Sequence, residues 1–87
     1  MNDLARYRLC ARIAAPPAAK LLYCYLLDIS DDKGTVIRSV RNIANGVGLS
    51  RSAAGRNLHR LKRLGLLEIS PRHTEDGGRL ANKYTLV

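Results

Sequence analysis

Four arginines set the chemical theme of this 87-residue chain, because Arg51, Arg56, Arg60 and Arg63 recur at close spacing through RSAAGRNLHRLKR. A guanidinium offers five donors in a fixed fork and stays charged at every physiological pH. Its natural partners are therefore phosphate oxygens and the paired acceptors O6 and N7 of guanine. Between Asp32 and Glu68 no acidic residue occurs, while Lys33, Arg38, Arg41, Arg51, Arg56, Arg60, Lys62 and Arg63 all fall there. The formal charge is +8 and the pI is near 10.2. Solvated surfaces ordinarily mix signs, so this segregation points to a polyanionic partner: nucleic acid or an acidic membrane surface.

Other chemistries find little support. His59 and His73 are the only histidines, and neither stands in metal-ligand or triad spacing. No Gly-rich phosphate loop follows a strand. The expectation is a non-enzyme with no catalytic residue, metal, cofactor or small-molecule ligand. Cys10 and Cys24 lack CxxC or zinc-type spacing and read as thiols of a reducing compartment, which suggests the cytoplasm. Met1–Leu9 is polar and charged, unlike a signal peptide, and the apolar run Leu21–Leu27 is far too short to span a bilayer. No membrane association is expected.

The basic residues need a scaffold, and the stretch from Ser39 to Leu67 supplies one. Val40, Ile43, Ala44 and Val47 recur at helical spacing, Gly48 ends that helix, and Leu49 plugs the turn. Ser50 is a good N-cap for a second helix whose buried stripe is Ala54, Leu58, Leu61 and Leu64. That is a helix-turn-helix pattern. Before it, Pro16 and Pro17 suit a first helical turn, and Ala18, Leu21, Leu22, Tyr25, Leu26 and Ile29 form a wide apolar stripe. Thr35–Ile37 is a brief β-branched segment suited to a strand, and Ser39 caps the next helix.

After the basic helix, Gly65 is a natural helix stop, and Leu66–Ser70 and Lys83–Val87 read as two strands around a polar loop from Pro71 to Ala81. Residues 1–15 alternate Tyr7, Leu9, Ala11 and Ile13 with Arg6, Arg8, Cys10 and Arg12, which reads either as a strand or as a basic arm. With 46% hydrophobic residues but neither Phe nor Trp, the core must be Leu, Ile, Val and Ala edged by four tyrosines. One domain is expected over 16–87.

The order helix, short strand, helix, basic helix, strand, loop, strand resembles the winged helix-turn-helix domain of bacterial, phage and plasmid regulators and replication proteins, including the MarR-like group. The matching pieces are IANGVGLSRSAAGRNLHRLKRLGLLEI and a wing closing on ANKYTLV. The resemblance implies an α+β fold: three helices, a C-terminal hairpin wing, and the short strand at 35–37. Two positions depart from the pattern. Asn57 stands where an aliphatic residue is usual, so Leu58 must carry that packing. Asn45-Gly46 replaces a pair of helix formers, and an interior Gly costs about 1 kcal/mol relative to Ala.

The same resemblance implies sequence-specific binding of double-stranded DNA, with the basic helix (about 50–64) in the major groove and its front nearest the base edges. Ser50, Arg51, Ser52, Gly55 and Arg56 occupy that front, and Arg56 followed by Arg51 is the leading reader of guanine. Arg60 and Arg63 fall further along, where phosphate contact is expected. Ser39, Arg41 and Asn42 stand at a helix N-terminus suited to phosphate. Arg72, Arg79 and Lys83 would serve the wing (71–81), whose Glu75 and Asp76 are unfavourable beside phosphate. A monomer reading one short half-site would bind weakly, which favours a homodimer through Met1–Ala15 or the first helix. The competing reading is a winged helix that docks on an acidic protein partner. RNA fits less well, since stacking aromatics are few.

Overall fold

The computed structural model describes residues 3–87. In chain order it contains α1 (Asp3–Ala11), α2 (Pro17–Ile29), β1 (Thr35–Ile37), α3 (Val40–Val47), α4 (Arg51–Arg63), β2 (Leu67–His73) and β3 (Arg79–Leu86). The three strands form one antiparallel sheet in the order β1-β3-β2.

Sequence-local capping sets the boundaries of the two central helices. The Ser39 hydroxyl accepts the Asn42 N–H at 3.0 Å, and the Ser50 hydroxyl accepts the Ala53 N–H at 3.1 Å. Each satisfies a donor that the first helical turn leaves without a partner. Gly48 adopts φ +71, the left-handed conformation that stops α3 and aims the chain into α4. Gly65 does the same after α4, where its N–H reaches the Lys62 carbonyl and the Leu66 N–H reaches Leu61. The substitutions S39A and S50A should each cost about 1 kcal/mol, read from the shift in the urea unfolding midpoint.

The core lies where α2, α3 and α4 meet the inner face of the sheet. Leu22, Leu26, Ile43, Leu58, Leu61, Leu67 and Tyr84 are its largest fully buried side chains. Leu58 thus fills the role that Asn57 leaves open. Asn57 is half-buried and spends its amide on the Ala53 carbonyl at 2.9 Å. Two helical stripes differ from expectation. On α2 the buried set is Ala19, Leu22, Tyr23 and Leu26, while Leu21 is half exposed. Helices on more than one side rotate the preferred stripe by one residue. On α4, Leu64 is exposed because the turn through Gly65 ends the helix before it can point inward.

The N-terminal segment is a helix rather than the strand or arm read from its alternation; Met1 and Asn2 lie outside the described residues. The fold therefore has four helices among the described residues, one more than expected. Each sheet edge is interrupted at one point. The Asp31 carboxylate and N–H occupy the free side of Thr35, and Pro71 on β2 has no N–H to give. Left without a sheet, a segment rich in Leu, Ala and Arg takes its helical preference and buries Cys10, with α1 packed on α2.

Both hairpin strands also run further than expected, so the wing loop shrinks to Thr74–Gly78. Pro71 is accommodated by an irregularity between Ser70 and Arg72, after which pairing resumes at Arg72↔Leu80 and His73↔Arg79. The loop is closed by Thr74, whose N–H donates to the Gly78 carbonyl and whose hydroxyl accepts the Gly78 N–H at 2.8 Å. That hydroxyl in turn donates to the Asp76 carboxylate.

Two aspartates stabilise turns as anions. Asp31 is held below the ordinary carboxyl value by the Thr35 N–H first and by Lys33 as well. Asp76 is lowered by the Thr74 hydroxyl and then by the Gly78 N–H. A carboxyl whose folded pKa is depressed stabilises above its unfolded pKa and ceases to do so as pH falls through the folded one. Both turns should therefore loosen in acid, seen as faster amide exchange at Thr35 and Gly78 below about pH 4, the unfolded carboxyl value.

Candidate nucleic-acid interface

The N-termini of α3 and α4 open on the same side of the molecule, facing the hairpin. Ser39, Val40 and Arg41 of the α3 start, Arg51 of α4, and Leu80, Ala81 and Asn82 of β3 line a cleft of about 550 Å³ over the Tyr84 ring. A second hollow of about 270 Å³ shares Val40, Asn82 and Tyr84 with it, and adds Gly55, Leu58, His59, Ile69 and Pro71. The two hollows share one wall and mark the cleft between α4 and the wing. Its floor is apolar, because Leu58, Ile69 and Tyr84 belong to the core or its margin.

The residues singled out from sequence divide by position around this cleft. Arg51, Ser52 and Arg56 stand exposed on the first turns of α4, with Ser50 as cap. Arg60, Lys62 and Arg63 are exposed on its last turn, where positive side chains also suit the negative end of the helix dipole. Ser39, Arg41 and Asn42 are exposed at the α3 start. Lys83 is exposed at mid-strand on β3, next to inward-pointing Tyr84, and so stands on the opposite sheet face. It is close enough to Asp31 to help hold that carboxyl ionised, which places it away from the cleft. Arg72 is half-buried on β2 opposite Leu80, and Arg79 begins β3 opposite His73, its side chain lying outside those described.

Two contributors were not assigned to the site from sequence: Arg38, counted there only among the basic residues, and Asn82. Arg38 donates from Nη1 to the Asn42 side-chain oxygen at 3.2 Å, which fixes a second basic group beside Arg41 at the α3 start. Asn82 enters the cleft from β3, with its amide 3.4 Å from the Tyr84 hydroxyl. Arg38 could have been found, since it stands four residues before Asn42 and next to the cap. Asn82 had no local signal, because only the β3 register aims it at α4.

The arrangement can hold a polyanion along one side of the molecule. Exposed guanidinium groups lie on α4 and the α3 start, while the acidic side chains Asp28, Asp31, Asp32 and Glu68 sit at the end of α2, in the α2–β1 turn and on β2. Glu75 and Asp76 put negative charge at the wing tip alone. Among the described residues, no three His, Cys, Asp or Glu side chains gather as a metal site, and no helix is long and apolar enough to cross a membrane.

Comparison with known proteins agrees with this geometry. A family model described as a helix-turn-helix domain matches residues 16–67. Three solved structures share the fold across nearly the whole chain. A possible transcriptional regulator from Methanosarcina mazei Go1 superposes with a TM-score of 0.65 at 14% identity, covering 100% of this chain and 67% of that one. The YusO protein from Bacillus subtilis gives 0.61 at 19% identity, covering 97% and 51%. A MarR family transcription regulator gives 0.62 at 18% identity, covering 97% and 50%. The chain thus spans about half the length of the last two. No curated protein matches the sequence.

Proposed function

The chain belongs to the helix-turn-helix domain family, in its winged form, and from that premise we propose that it reads double-stranded DNA in a sequence-specific manner. The observation that carries this reading is the exposed Arg51, Ser52 and Arg56 on the first turns of α4, beside a basic α3 start and with no acid between Asp32 and Glu68. In this reading α4 lies in the major groove and the hairpin follows the neighbouring minor groove or backbone. Arg56 and Arg51 meet base edges, while Arg60, Arg63, Arg38 and Arg41 meet phosphates. Ser39 and Asn42 order the α3 start for that contact. Arg72 and Arg79 serve the wing at its base, and the acidic tip stands off the duplex.

The role that follows is transcription regulation in the cytoplasm, or the DNA-reading step of a replication or recombination system. A homodimer built through α1 or α2 would pair two half-sites and raise affinity.

The test is selection of duplexes from a random pool, followed by a salt titration on the winner. If six to ten phosphates are neutralised, affinity should fall about 10³–10⁵-fold between 50 and 200 mM salt. A flat salt response, or no enrichment of any sequence, would refute the reading. Sedimentation of the free and bound protein gives the stoichiometry.

A further inference from the structure

We propose that Gly55 is the point of closest approach between α4 and the duplex, and that the space of its missing side chain is filled by a sugar–phosphate strand. This rests on the DNA reading above and deepens it.

Glycine is the poorest helix former apart from proline, and Gly55 is the fifth residue of a thirteen-residue helix. Such a residue calls for a reason. Gly46 in α3 has one inside the protein, since a Cβ there would collide with the ring and hydroxyl of Tyr25. Gly55 has none. Nothing lies within 4 Å of where its Cβ would stand, and it is not among the glycines with positive φ. As far as the protein itself is concerned, alanine would fit and would make the better helix.

The position of the gap identifies what uses it. Gly55 lies one helical turn beyond Arg51 and one before His59, along the flank of α4 that faces the hairpin. The cleft bordered by that flank takes in Ser39 and Arg41 of the α3 start and Pro71 of the wing. If α4 enters the major groove and the hairpin meets the adjacent minor groove, one sugar–phosphate strand must pass between them. Major and minor grooves are separated by that strand. The cleft offers that strand a route between these two elements, and Arg41 and Arg51 line it. Gly55 therefore lets the α4 backbone close on the strand while Arg51 and Arg56 reach the bases.

Contacts to the strand carry no sequence information, so the signature is a uniform loss of affinity. Variants G55A and G55L are compared with the wild-type chain by thermal melting and by titration of a selected duplex and a scrambled one. G55A should melt higher than wild type yet bind both duplexes about tenfold or more weakly, with a larger loss for G55L, as for overfilling occupied space. G55A binding as tightly as wild type would overturn the proposal while leaving DNA binding intact. A loss confined to the selected duplex would place Gly55 against a base edge and overturn the strand assignment. A wild-type chain that bound no duplex would overturn the DNA reading and this proposal together.

Discussion

The double charge reversal R51E/R56E is expected to weaken duplex binding by more than 100-fold while the domain remains folded. Both side chains are exposed and belong to no core contact, so replacing them leaves Ala54, Leu58 and Leu61 undisturbed. A bidentate arginine–guanine contact supplies about 1–3 kcal/mol of discrimination, and roughly each 1.4 kcal/mol is a factor of ten. Two lost contacts alone approach the stated figure, and new repulsion from phosphate adds to it. The outcome is read by fluorescence anisotropy of a labelled duplex, with a circular dichroism melt to certify the fold. The milder R56K keeps the charge but loses the planar fork, so it should relax base preference more than it lowers overall affinity. Full binding by R51E/R56E would instead favour docking on an acidic protein partner.

The largest effect on stability is expected from Leu58→Ala. Leu58 is 1% exposed and ties α4 to the sheet and to α2. Emptying such a site costs about 2–5 kcal/mol, depending on how far the surroundings collapse. Small domains have total stabilities near the lower end of about 5–15 kcal/mol. At about 4–8 °C per kcal/mol for this size, the melting temperature should drop by about 8 °C or more, measured by calorimetry. Leu64→Ala provides the contrast. Leu64 is 45% exposed although it continues the same apolar spacing, so its removal should change stability by no more than about 0.5 kcal/mol. Equal effects at the two positions would contradict the burial assigned to α4.

The difference between Leu58 and Leu64 marks where sequence reasoning stops. Their spacing along the chain is equivalent, and only the left-handed turn at Gly65 separates them. The same limit explains α1. Its alternating pattern was compatible with a strand, but a strand needs a partner, and whether an edge is open is a property of the assembled sheet. At the wing, the polar stretch from Pro71 to Ala81 reads as a loop. On the outer strand of a β1-β3-β2 sheet, the missing N–H of Pro71 faces no neighbour that needs it, so the hairpin runs on to His73.

Local chemistry, by contrast, was legible wherever the physics is local. Serine caps at Ser39 and Ser50, glycine stops at Gly48 and Gly65, and the i, i+3, i+4 stripe of α3 act within one or two helical turns. The sequence by itself therefore determined the helix-turn-helix unit and the clustering of positive charge on α4 and the α3 start. Tertiary structure decided which side chains share a cleft. It brought Asn82 and Leu80 of β3 against Arg41 and Arg51, and it turned Lys83 to the far sheet face. It also gave the two helical glycines different meanings, Gly46 accommodating Tyr25 and Gly55 facing open space. These depend on strand register and helix packing, which join residues dozens of positions apart and leave no signature in local spacing.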